Sequence, residues 1–381
     1  MKELPLNTVQ CGDCREVMAT YPEDSVDLVV TSPPYWGLRD YGGSPQVYGG
    51  NPECEHEWGS PQVKSMSGGP QKDEETYGVA RRYESSSSFC VKCGAWRGSL
   101  GLEPHPQMFI DHLVTISREI KRVIKPRGSF WLNLGDTYYG SGGAGGDYNK
   151  GGLREGQPRY KQNKTHSSNW LQPKQLLGMP WRVATALQND GWILRNCVIW
   201  FKPNHMPEPV KDRLTKSYEF FFFLVKSRKY FFDLNAIRVP YDPNVTRWGG
   251  NKMNLPQNPK NQQGLSKALL NESRPWRSGK GKNPGDFWEI NTQPFPGSHF
   301  AVFPPDLIEP IIKSSSPPNG TILDPFAGSG TALRVARKLG RSFIGIELNP
   351  EYAAMCERRV RADTYTPPPE GVPTLWEALE K

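Results

Sequence analysis

The sequence contains no hydrophobic run long enough to cross a membrane. Its aromatic segment EFFFFLV, residues 219–225, is far shorter than the run of about 20 apolar residues that a transmembrane helix needs. The first fourteen residues, MKELPLNTVQCGDC, also lack the apolar core of a secretory signal peptide. These absences exclude a membrane-spanning helix and a standard secreted precursor. We therefore expect the protein to act in the cytoplasm, with no membrane partner.

The sequence also lacks the even set of cysteines that a disulfide scaffold needs, and it has no internal repeat. Its seven cysteines are an odd number, which fits a reducing compartment better than a network of disulfides. The absence of a repeat excludes solenoid and propeller arrays.

The length and composition suit one large domain with insertions, or two domains. The chain has 381 residues, and its modest hydrophobic content of 36% is combined with 38 glycines and 36 prolines. These values predict an ordinary core interrupted by long polar loops. The net charge of +8 favours an anionic partner such as nucleic acid.

Segments of strand-like and helix-like apolar pattern alternate along the chain. Short β-branched or aromatic runs predict strands at residues 25–32, 129–136, 192–204, 217–227, 320–326 and 342–348. Apolar residues at helical spacing predict helices at residues 106–128, 179–191, 303–315, 330–340 and 349–362. The alternation predicts an α/β fold, with a doubly wound, mostly parallel sheet and an antiparallel hairpin formed by 192–204 and 217–227.

The segment ILDPFAGSGTALRVA, residues 322–336, has the order expected of a ligand-binding strand, loop and helix. Its glycines let the backbone approach a ligand closely, and the following helix offers N–H groups at its N-terminus. The segment lacks the third glycine of the dinucleotide pattern G-x-G-x-x-G, and it lacks the G-K-[ST] of a phosphate-binding loop. These absences exclude the two commonest nucleotide motifs.

A second carboxylate follows this loop at the end of the next predicted strand. The strand FIGIEL ends in Glu347, where a carboxylate can accept hydrogen bonds from both hydroxyls of a ribose. The two features together predict a nucleoside-containing cofactor. The alternative is a tight strand–helix turn that binds no ligand.

The segment VTSPPYWGLRDYG, residues 30–42, ends a buried-looking strand with two rigid prolines. It places Tyr35 and Trp36 at the tip of the turn that follows. Taken alone, the segment is typical of a turn, because Pro-Pro commonly ends strands. The other interpretation is a pocket that grips a flat, polar ring.

Three motifs, SPPYW, DPFAGSGT and GIELNPEY, resemble those of the S-adenosylmethionine-dependent DNA amino-methyltransferases, which methylate cytosine N4 or adenine N6. The resemblance covers most of the chain. SPPY precedes DPFAGSGT, which resembles the circularly permuted β class of this family. HFAVFP at residues 299–304 and CGDCREVM at residues 11–18 resemble two further cofactor motifs of that class. The resemblance implies a seven-stranded, Rossmann-like methyltransferase sheet.

The resemblance also implies which residues bind the cofactor. Asp13 would contact the adenine ring, Glu347 would hold the ribose hydroxyls, and the segment from His299 to Phe303 would close on the amino-acid end. The full set of cofactor-binding candidates is Asp13, His299, Phe300, Phe303, Asp324, Phe326, Gly328, Gly330, Thr331 and Glu347.

For catalysis the resemblance implies Ser32, Pro33, Pro34 and Tyr35. An exocyclic amine is a poor nucleophile, because its lone pair is delocalised into the ring. The Ser32 hydroxyl and the Pro33 carbonyl can accept hydrogen bonds from the amine, while Tyr35 stacks on a base that has been rotated out of the duplex. In this family Ser before Pro-Pro leans towards cytosine N4 and Asp towards adenine N6, so we expect N4-cytosine and keep N6-adenine as the alternative.

Two short pairs, CEHEW at residues 54–58 and CVKCGAW at residues 90–96, offer four soft metal ligands. These are Cys54, His56, Cys90 and Cys93, and their spacing suits structural, tetrahedral Zn²⁺. The polar loop between them is too poor in apolar residues to build its own core, so a metal would stabilise it. The alternatives are two unrelated thiol pairs, or the rival C-x-x-C pair at residues 11–14, which overlaps the cofactor motif.

Residues 235–298 hold nine Lys or Arg against four Asp or Glu, with tryptophans among Asn, Gln and Pro. In the permuted order of the family this is the target-recognition region, and its composition suits phosphate and base contacts. The candidate DNA contacts are Arg247, Lys252, Arg274, Arg277, Lys280 and Lys282. A basic, Gly-rich loop at 140–169 is a second candidate, with Lys150, Arg154, Arg159, Lys161 and Lys164. The alternative for either segment is a solvated basic loop.

These expectations define a domain organisation. Residues 1–234 form the catalytic half, with a zinc insertion at 51–98 and the mobile basic loop 140–169. Residues 235–298 recognise the target, 299–365 form the cofactor half, and 366–381 form a tail. The expected partners are double-stranded DNA and a cognate restriction endonuclease. Competing functions are methylation of an RNA base or a protein glutamine, and a zinc-containing DNA-binding module without catalysis.

Overall fold

The computed structural model describes residues 3–38, 41, 43–59, 88–139, 148–149, 152–153, 171–240, 281–293 and 302–362. The chain divides into two compact units. The first contains residues 1–33, 114–136 and 178–381, and the second contains residues 34–113 and 137–177.

The first unit contains a sheet of eight described strands. They are β1 (Thr8–Cys11), β2 (Val26–Thr31), β5 (Ile124–Leu134), β8 (Ile193–Phe201), β9 (Tyr218–Val225), β10 (Phe287–Glu289), β11 (Thr321–Asp324) and β12 (Ser342–Glu347). The second unit contains two short pairs, formed by β3 (Gln46–Tyr48) with β4 (Trp96–Gly98) and by β6 (Tyr148–Asn149) with β7 (Gly152–Leu153).

The strand order of the large sheet is β1-β12-β11-β2-β5-β9-β8-β10. Among these described strands only β9 runs antiparallel to its neighbours, β5 and β8, and the other pairs are parallel. The predicted α/β class, the mostly parallel sheet and the antiparallel β8–β9 hairpin are therefore confirmed. The circular permutation stays a prediction.

Two of the eight strands, β1 and β10, lie outside the six ranges predicted as strands, and the described sheet has one strand more than the seven implied by the resemblance. The three-residue strand β10 pairs in parallel with β8, with Trp288 opposite Trp200. Trp288 is buried in the main hydrophobic cluster, although it belongs to the segment expected to lie outside the sheet. Part of the predicted target-recognition region, 235–298, is thus built into the edge of the sheet.

Six described α-helices accompany the strands. They are α1 (Cys14–Ala19), α2 (Pro106–Val123), α3 (Met179–Asn189), α4 (Pro305–Ser315), α5 (Thr331–Lys338) and α6 (Pro350–Arg361). A short 3-10 helix covers Leu234–Ile237. Local signals explain several starts: Pro180 lies in the first turn of α3, and the Asn349 side chain caps α6 by accepting from the Glu351 N–H at 2.9 Å.

The predicted boundary between helix 106–128 and strand 129–136 is wrong. Helix α2 ends at Val123 and β5 begins at Ile124, which pairs with Val26 of β2. Ile124 continues the apolar spacing of the helix, and it is fully buried as the first residue of the strand. The apolar pattern at this position therefore fits a helix or a strand. The parallel pairing with β2 decides between them.

The core of the first unit joins the sheet to helices α4, α5 and α6. Leu28, Trp131 and Phe221 from three strands belong to one buried cluster with residues of these helices. The Trp131 ring stacks on Phe223 with ring centroids 4.6 Å apart, and its Nε1 donates to Ser315 Oγ at 3.0 Å. A buried indole keeps its N–H paired in this way while it contributes a large apolar area.

Within the second unit, Trp36 anchors the chain that follows the two prolines. Its side chain is 2% exposed, and its Nε1 donates to the Glu103 carbonyl at 3.0 Å. Of the two aromatic residues placed at the tip of this turn, Trp36 is therefore internal and Tyr35 is half-buried. Among the described helices, none combines the length and the apolar character that crossing a membrane would need.

Candidate active site

The candidate site of the first unit lies where neighbouring parallel strands end. Strands β1, β12, β11, β2 and β5 are parallel neighbours, so their carboxyl ends lie at one edge of the sheet. The predicted cofactor and catalytic motifs follow these ends. Ligands of open α/β sheets bind outside this edge, so the topology alone brings Ser32 and Pro33 to the same edge as the loop after β11.

A buried hydrogen bond joins the ends of β2 and β11. Thr31 Oγ1 donates to Asp324 Oδ1 at 2.6 Å, and each of the two residues is 1% exposed. The same carboxylate oxygen accepts from the Phe326 N–H at 3.1 Å. The strand that leads into SPPYW is thereby fixed beside the strand that leads into DPFAGSGT, across 293 residues of sequence.

The position of Asp324 changes its acidity. Burial is the largest influence and raises the pKa of Asp324 to about 7, helped by the nearby negative charge of Glu347. The hydrogen bonds from Thr31 and Phe326 act in the opposite direction and stabilise the ionised form. This carboxyl group therefore titrates near neutral pH.

Glu347 ties the glycine loop to the end of β12. Its Oε2 accepts from the Gly328 N–H at 2.9 Å, and its Oε1 accepts from the Asn349 N–H at 3.0 Å. Burial raises the pKa of Glu347, and the backbone donors oppose that rise. The buried carboxyl group of Asp324 on β11 and the half-buried one of Glu347 on β12 flank the loop between β11 and α5.

The loop requires glycine at position 330. Gly330 has a φ of 79°, and a Cβ there would lie 2.6 Å from the Cys356 sulfur on α6. Thr331, the first residue of α5, is buried. The glycine therefore permits the turn that starts α5 directly after the loop.

The segment after β1 reaches the same edge. In the β1–β12 pair Cys11 lies opposite Glu347, and the Gly12 N–H donates to the Glu347 carbonyl at 3.0 Å. The Asp13 side chain caps α1 by accepting from the Arg15 N–H at 2.8 Å and also pairs with the Arg15 guanidinium. Asp13 is therefore held two residues beyond Cys11, the end of β1 that lies opposite Glu347.

The end of β5 fixes the direction of the Ser32 hydroxyl. Asn133 Nδ2 donates to the Phe220 carbonyl on β9 at 3.1 Å, which turns Asn133 Oδ1 towards Ser32. Ser32 Oγ donates to that oxygen at 3.1 Å. Because this bond uses the single hydroxyl proton, the serine oxygen can act towards an amine only as an acceptor.

The remaining predicted catalytic residues continue the chain from Ser32. Pro33 is buried and ends a segment of the first unit, whereas Pro34 and Tyr35 are half-buried and begin the second. Phe303 is half-buried, and its ring centroid lies 6.3 Å from that of Phe221 on β9. Phe326 is half-buried within the glycine loop.

The four predicted metal ligands meet in the second unit. The ligand atoms of Cys54, His56, Cys90 and Cys93 all lie within 4.8 Å of one another. Backbone N–H groups of Ala95 and Asn51 lower the pKa of the Cys93 thiol. A donor set of three thiols and one imidazole is the chemistry that structural Zn²⁺ selects.

Several predicted residues lie outside the described part of the chain. They are His299, Phe300, Arg247, Lys252, Arg274, Arg277 and Lys280, together with Lys150, Arg154, Arg159, Lys161 and Lys164 of the basic loop. Lys282 is described: its side chain is exposed, and its backbone makes two hydrogen bonds with Val239, at 2.7 and 3.0 Å.

Comparison with known proteins identifies the family. A family model described as DNA methylase matches residues 26–358. The chain belongs to this family. It is a DNA methyltransferase of the S-adenosylmethionine-dependent amino-methyltransferase group, as the sequence motifs predict.

Individual relatives cover nearly the whole methylase chain. It is 35% identical to the type II methyltransferase M.Cfr9I of Citrobacter freundii, over 92% of this chain and 87% of the relative. It is 34% identical to M.SmaI of Serratia marcescens, over 92% and 89%. The solved PvuII DNA methyltransferase (cytosine-N4-specific) shares the fold, with a TM-score of 0.51, 17% identity and coverage of 94% and 87%.

The strand ends of this methylase fit the cofactor of its family. S-Adenosylmethionine carries positive sulfonium and ammonium groups and two ribose hydroxyls that donate hydrogen bonds. The carboxyl groups of buried Asp324 and half-buried Glu347 complement those groups when ionised, and Gly328 in the loop between them places no side chain there. The donor chemistry at this edge therefore agrees with the family assignment.

Sequence reasoning missed two residues of the site, Thr31 and Asn133. Both are polar and almost fully buried at the ends of apolar strands, with exposures of 1% and 2%. A single polar residue near the end of a strand such as SFWLNLGD is the signal that could have found Asn133, because a buried polar group needs a partner.

We predict that cofactor binding depends on the ionisation of Asp324. Its pKa is raised to about 7, so at pH 6 most of the carboxyl is neutral and at pH 8 most is ionised. A positively charged ligand prefers the ionised form. The affinity for S-adenosylmethionine, measured by calorimetry, should fall by up to about tenfold from pH 8 to pH 6.

The variant Asp324→Asn keeps an oxygen that can accept from Thr31 but cannot ionise. Its affinity should be lower at pH 8 and nearly independent of pH over the same range. A wild-type affinity that is constant between pH 6 and pH 8 would contradict this assignment.

Proposed function

We propose that this protein methylates the exocyclic N4 amine of cytosine at a specific site in double-stranded DNA. The observation that carries the proposal is the orientation of the Ser32 hydroxyl, whose proton is committed to Asn133 Oδ1 at 3.1 Å. The serine oxygen therefore presents a neutral acceptor at the edge of the sheet where Asp324 ends the adjacent strand.

A neutral hydrogen-bond acceptor can make an exocyclic aromatic amine more nucleophilic. The nitrogen lone pair is delocalised into the ring, which keeps the amine planar and weakly nucleophilic. Ser32 Oγ and the Pro33 carbonyl accept hydrogen bonds from the two N–H groups, which favours a pyramidal nitrogen with an exposed lone pair. The prolines lack N–H donors and hold the carbonyl rigidly. Pro34 keeps the following turn fixed, and Tyr35 stacks on the face of the base.

The cofactor, when bound, supplies a methyl group on a positively charged sulfur. In the proposal Asp324, Phe326, Gly328, Gly330 and Thr331 line its binding loop, Glu347 accepts from the ribose hydroxyls, and Asp13 contacts the adenine ring. His299, Phe300 and Phe303 close on its amino-acid end. The protein accelerates the reaction by orienting the two substrates, because the amine nitrogen, the methyl carbon and the cofactor sulfur must lie in a line during the transfer.

A base inside a duplex cannot reach an acceptor pair at a strand end. The proposal therefore includes rotation of the cytosine out of the stack, which costs a few kcal/mol and is partly offset by stacking on Tyr35. The residues Arg247, Lys252, Arg274, Arg277, Lys280 and Lys282 are the proposed DNA contacts of the target-recognition region. Such an enzyme would act inside the cell, where its DNA substrate lies.

The relatives support a restriction–modification role. M.Cfr9I and M.SmaI are type II methyltransferases, and by analogy we propose a cognate restriction endonuclease as the functional partner. The PvuII enzyme, which shares the fold, is described as cytosine-N4-specific. N6-adenine methylation is the second candidate, since the same acceptor pair can hold an adenine amine.

The product identifies the target base. Unmodified genomic DNA is incubated with the enzyme and S-adenosylmethionine, and the digested nucleosides are analysed by mass spectrometry. We expect N4-methylcytosine in the wild-type reaction and none with Ser32→Ala, whose cofactor affinity should be unchanged. RNA and glutamine-containing peptides serve as control substrates. N6-methyladenine as the sole product, or methylation confined to the control substrates, would refute the proposal.

We predict that Asn133 positions the Ser32 hydroxyl. Asn133→Ala leaves the serine proton without its partner, so the hydroxyl can turn and donate instead of accepting. The loss of one oriented hydrogen bond between neutral groups, worth about 1–1.5 kcal/mol, should lower kcat by roughly fivefold to tenfold. Single-turnover methyl transfer with saturating cofactor and DNA measures this effect.

Ser129→Ala is the matched control. Ser129 lies on the same strand and is equally buried, but its hydroxyl has no hydrogen-bond partner among the residues that the structure describes. It should leave kcat within about twofold of wild type, because no oriented hydrogen bond is lost. If both variants reduced kcat equally, the effect would come from general disturbance of β5, and the positioning role would be wrong.

A further inference from the structure

Three sulfur atoms and one imidazole nitrogen meet in the second unit at distances that suit one metal ion. Cys54 Sγ and Cys90 Sγ are 3.9 Å apart, and Cys93 Sγ lies 3.4 Å from His56 Nδ1. Tetrahedral Zn²⁺, with Zn–S and Zn–N distances of about 2.3 and 2.05 Å, separates two sulfurs by about 3.8 Å and a sulfur from a nitrogen by about 3.6 Å. Both observed separations agree with that geometry to within about 0.2 Å.

The alternatives to a metal fit these atoms less well. A disulfide requires its sulfurs at about 2.05 Å, and all seven cysteines of the chain are free. Unrelated thiols have no reason to meet a histidine nitrogen from a separate segment. Four protein ligands fill a tetrahedral shell, so the site has no open position for a water molecule and is structural in character.

We propose that Cys54, His56, Cys90 and Cys93 bind one Zn²⁺ ion, and that this ion positions the segment Pro34–Gly37, which carries Tyr35. The second part rests on the proposed function, in which Tyr35 stacks on the target base. It is argued from contacts within the second unit alone.

The first contacts lead from the cluster to the β3–β4 pair. The Cys90 N–H donates to the Ala95 carbonyl at 2.8 Å, and Trp96 follows directly as the first residue of β4. Trp96 pairs with Tyr48 of β3. Gly50, just after β3, packs so tightly that a Cβ there would lie 2.7 Å from Cys93 Sγ.

The next contacts lead from this strand pair to a buried carboxylate. The His112 ring stacks on Tyr48 with centroids 4.2 Å apart, and on Trp96 with centroids 5.4 Å apart. His112 Nδ1 and Glu103 Oε1 are 3.0 Å apart, and Glu103 is 0% exposed. The aromatic rings on the metal side therefore fix the imidazole that holds Glu103.

The last contacts lead from Glu103 to the segment after the prolines. Glu103 Oε2 accepts from the Gly101 N–H at 2.9 Å, and the Gly101 carbonyl accepts from the Gly37 N–H at 2.8 Å. Gly101 lies against Tyr35, since a Cβ there would be 2.9 Å from the Tyr35 carbonyl oxygen. Each step from the cluster to Tyr35 is thus a buried contact or a hydrogen bond.

The metal content is tested first. Purified full-length protein should contain one zinc per chain by elemental mass spectrometry, and Cys90→Ser should lose it. Cys197→Ser is the matched control, because Cys197 lies on β8 outside the cluster and its replacement should leave the zinc content unchanged. Protein without stoichiometric zinc, which also fails to bind added Zn²⁺, would overturn the site, whatever base the enzyme methylates.

The positioning role is tested by hydrogen–deuterium exchange, which needs no methyl transfer. Removing zinc with a chelator should speed exchange in the peptide that contains Gly37 by about tenfold or more, because its N–H bond to Gly101 opens locally. Peptides of β12 in the first unit should exchange at their original rate. Added Zn²⁺ should restore the protection, and added Mg²⁺ should not.

A second variant interrupts the contacts without touching a metal ligand. Glu103→Ala removes the side chain that links His112 to Gly101, so it should keep its zinc and still lose protection at Gly37. If zinc is bound but neither chelation nor Glu103→Ala changes exchange there, the positioning role is wrong and the metal stabilises only its own loop. If chelation speeds exchange in β12 as much as at Gly37, the protein unfolds as a whole without zinc, and the specific positioning role is wrong. These zinc and exchange measurements do not depend on which base the enzyme methylates, so a failure of the N4-cytosine proposal would leave them unchanged.

Discussion

The buried hydrogen bond from Thr31 to Asp324 is the constraint on which the site depends. It joins the last residues of β2 and β11 at 2.6 Å, in a place where neither side chain reaches water. A hydroxyl and a carboxyl buried without each other would both be costly, so the pair keeps the two strand ends in register. That register sets how far the Ser32 hydroxyl lies from the loop after Asp324, because Ser32 directly follows Thr31 and the loop directly follows Asp324.

The two sides of this hydrogen bond differ in charge, and the proposed methyl transfer uses that difference. On one side are two carboxyl groups: burial raises the pKa of Asp324 to about 7 and also raises the pKa of Glu347. On the other side, Ser32 and Pro33 are neutral acceptors, with the serine proton committed to Asn133. A neutral acceptor pair can orient an amine without holding a charge of its own beside the positively charged methyl donor.

Sequence patterns predicted those parts of the molecule that depend on local signals. The strand leading to Ser32 and the capped helix after Asn349 follow from apolar runs, prolines and caps that neighbouring residues supply. The apolar side chain of Ile124 fits the pattern of a helix and of a strand equally well, so only its pairing with β2 shows where α2 ends and β5 begins. Asn133 escaped notice because its partners, Ser32 and Phe220, are 101 and 87 residues away. The burial of Trp36 could not be predicted for the same reason, since its partner, the Glu103 carbonyl, is 67 residues away.

The central claim is that one edge of the sheet holds both the methyl donor and the amine that receives the methyl group. A crystal structure of the enzyme with S-adenosylhomocysteine and a duplex containing its target site tests this claim most directly. The account predicts the cofactor in the loop between Asp324 and Glu347, with its sulfur facing an extruded base whose amine lies within hydrogen-bonding distance of Ser32 Oγ. A cofactor bound at another edge of the sheet, or a base whose amine points away from Ser32, would contradict it.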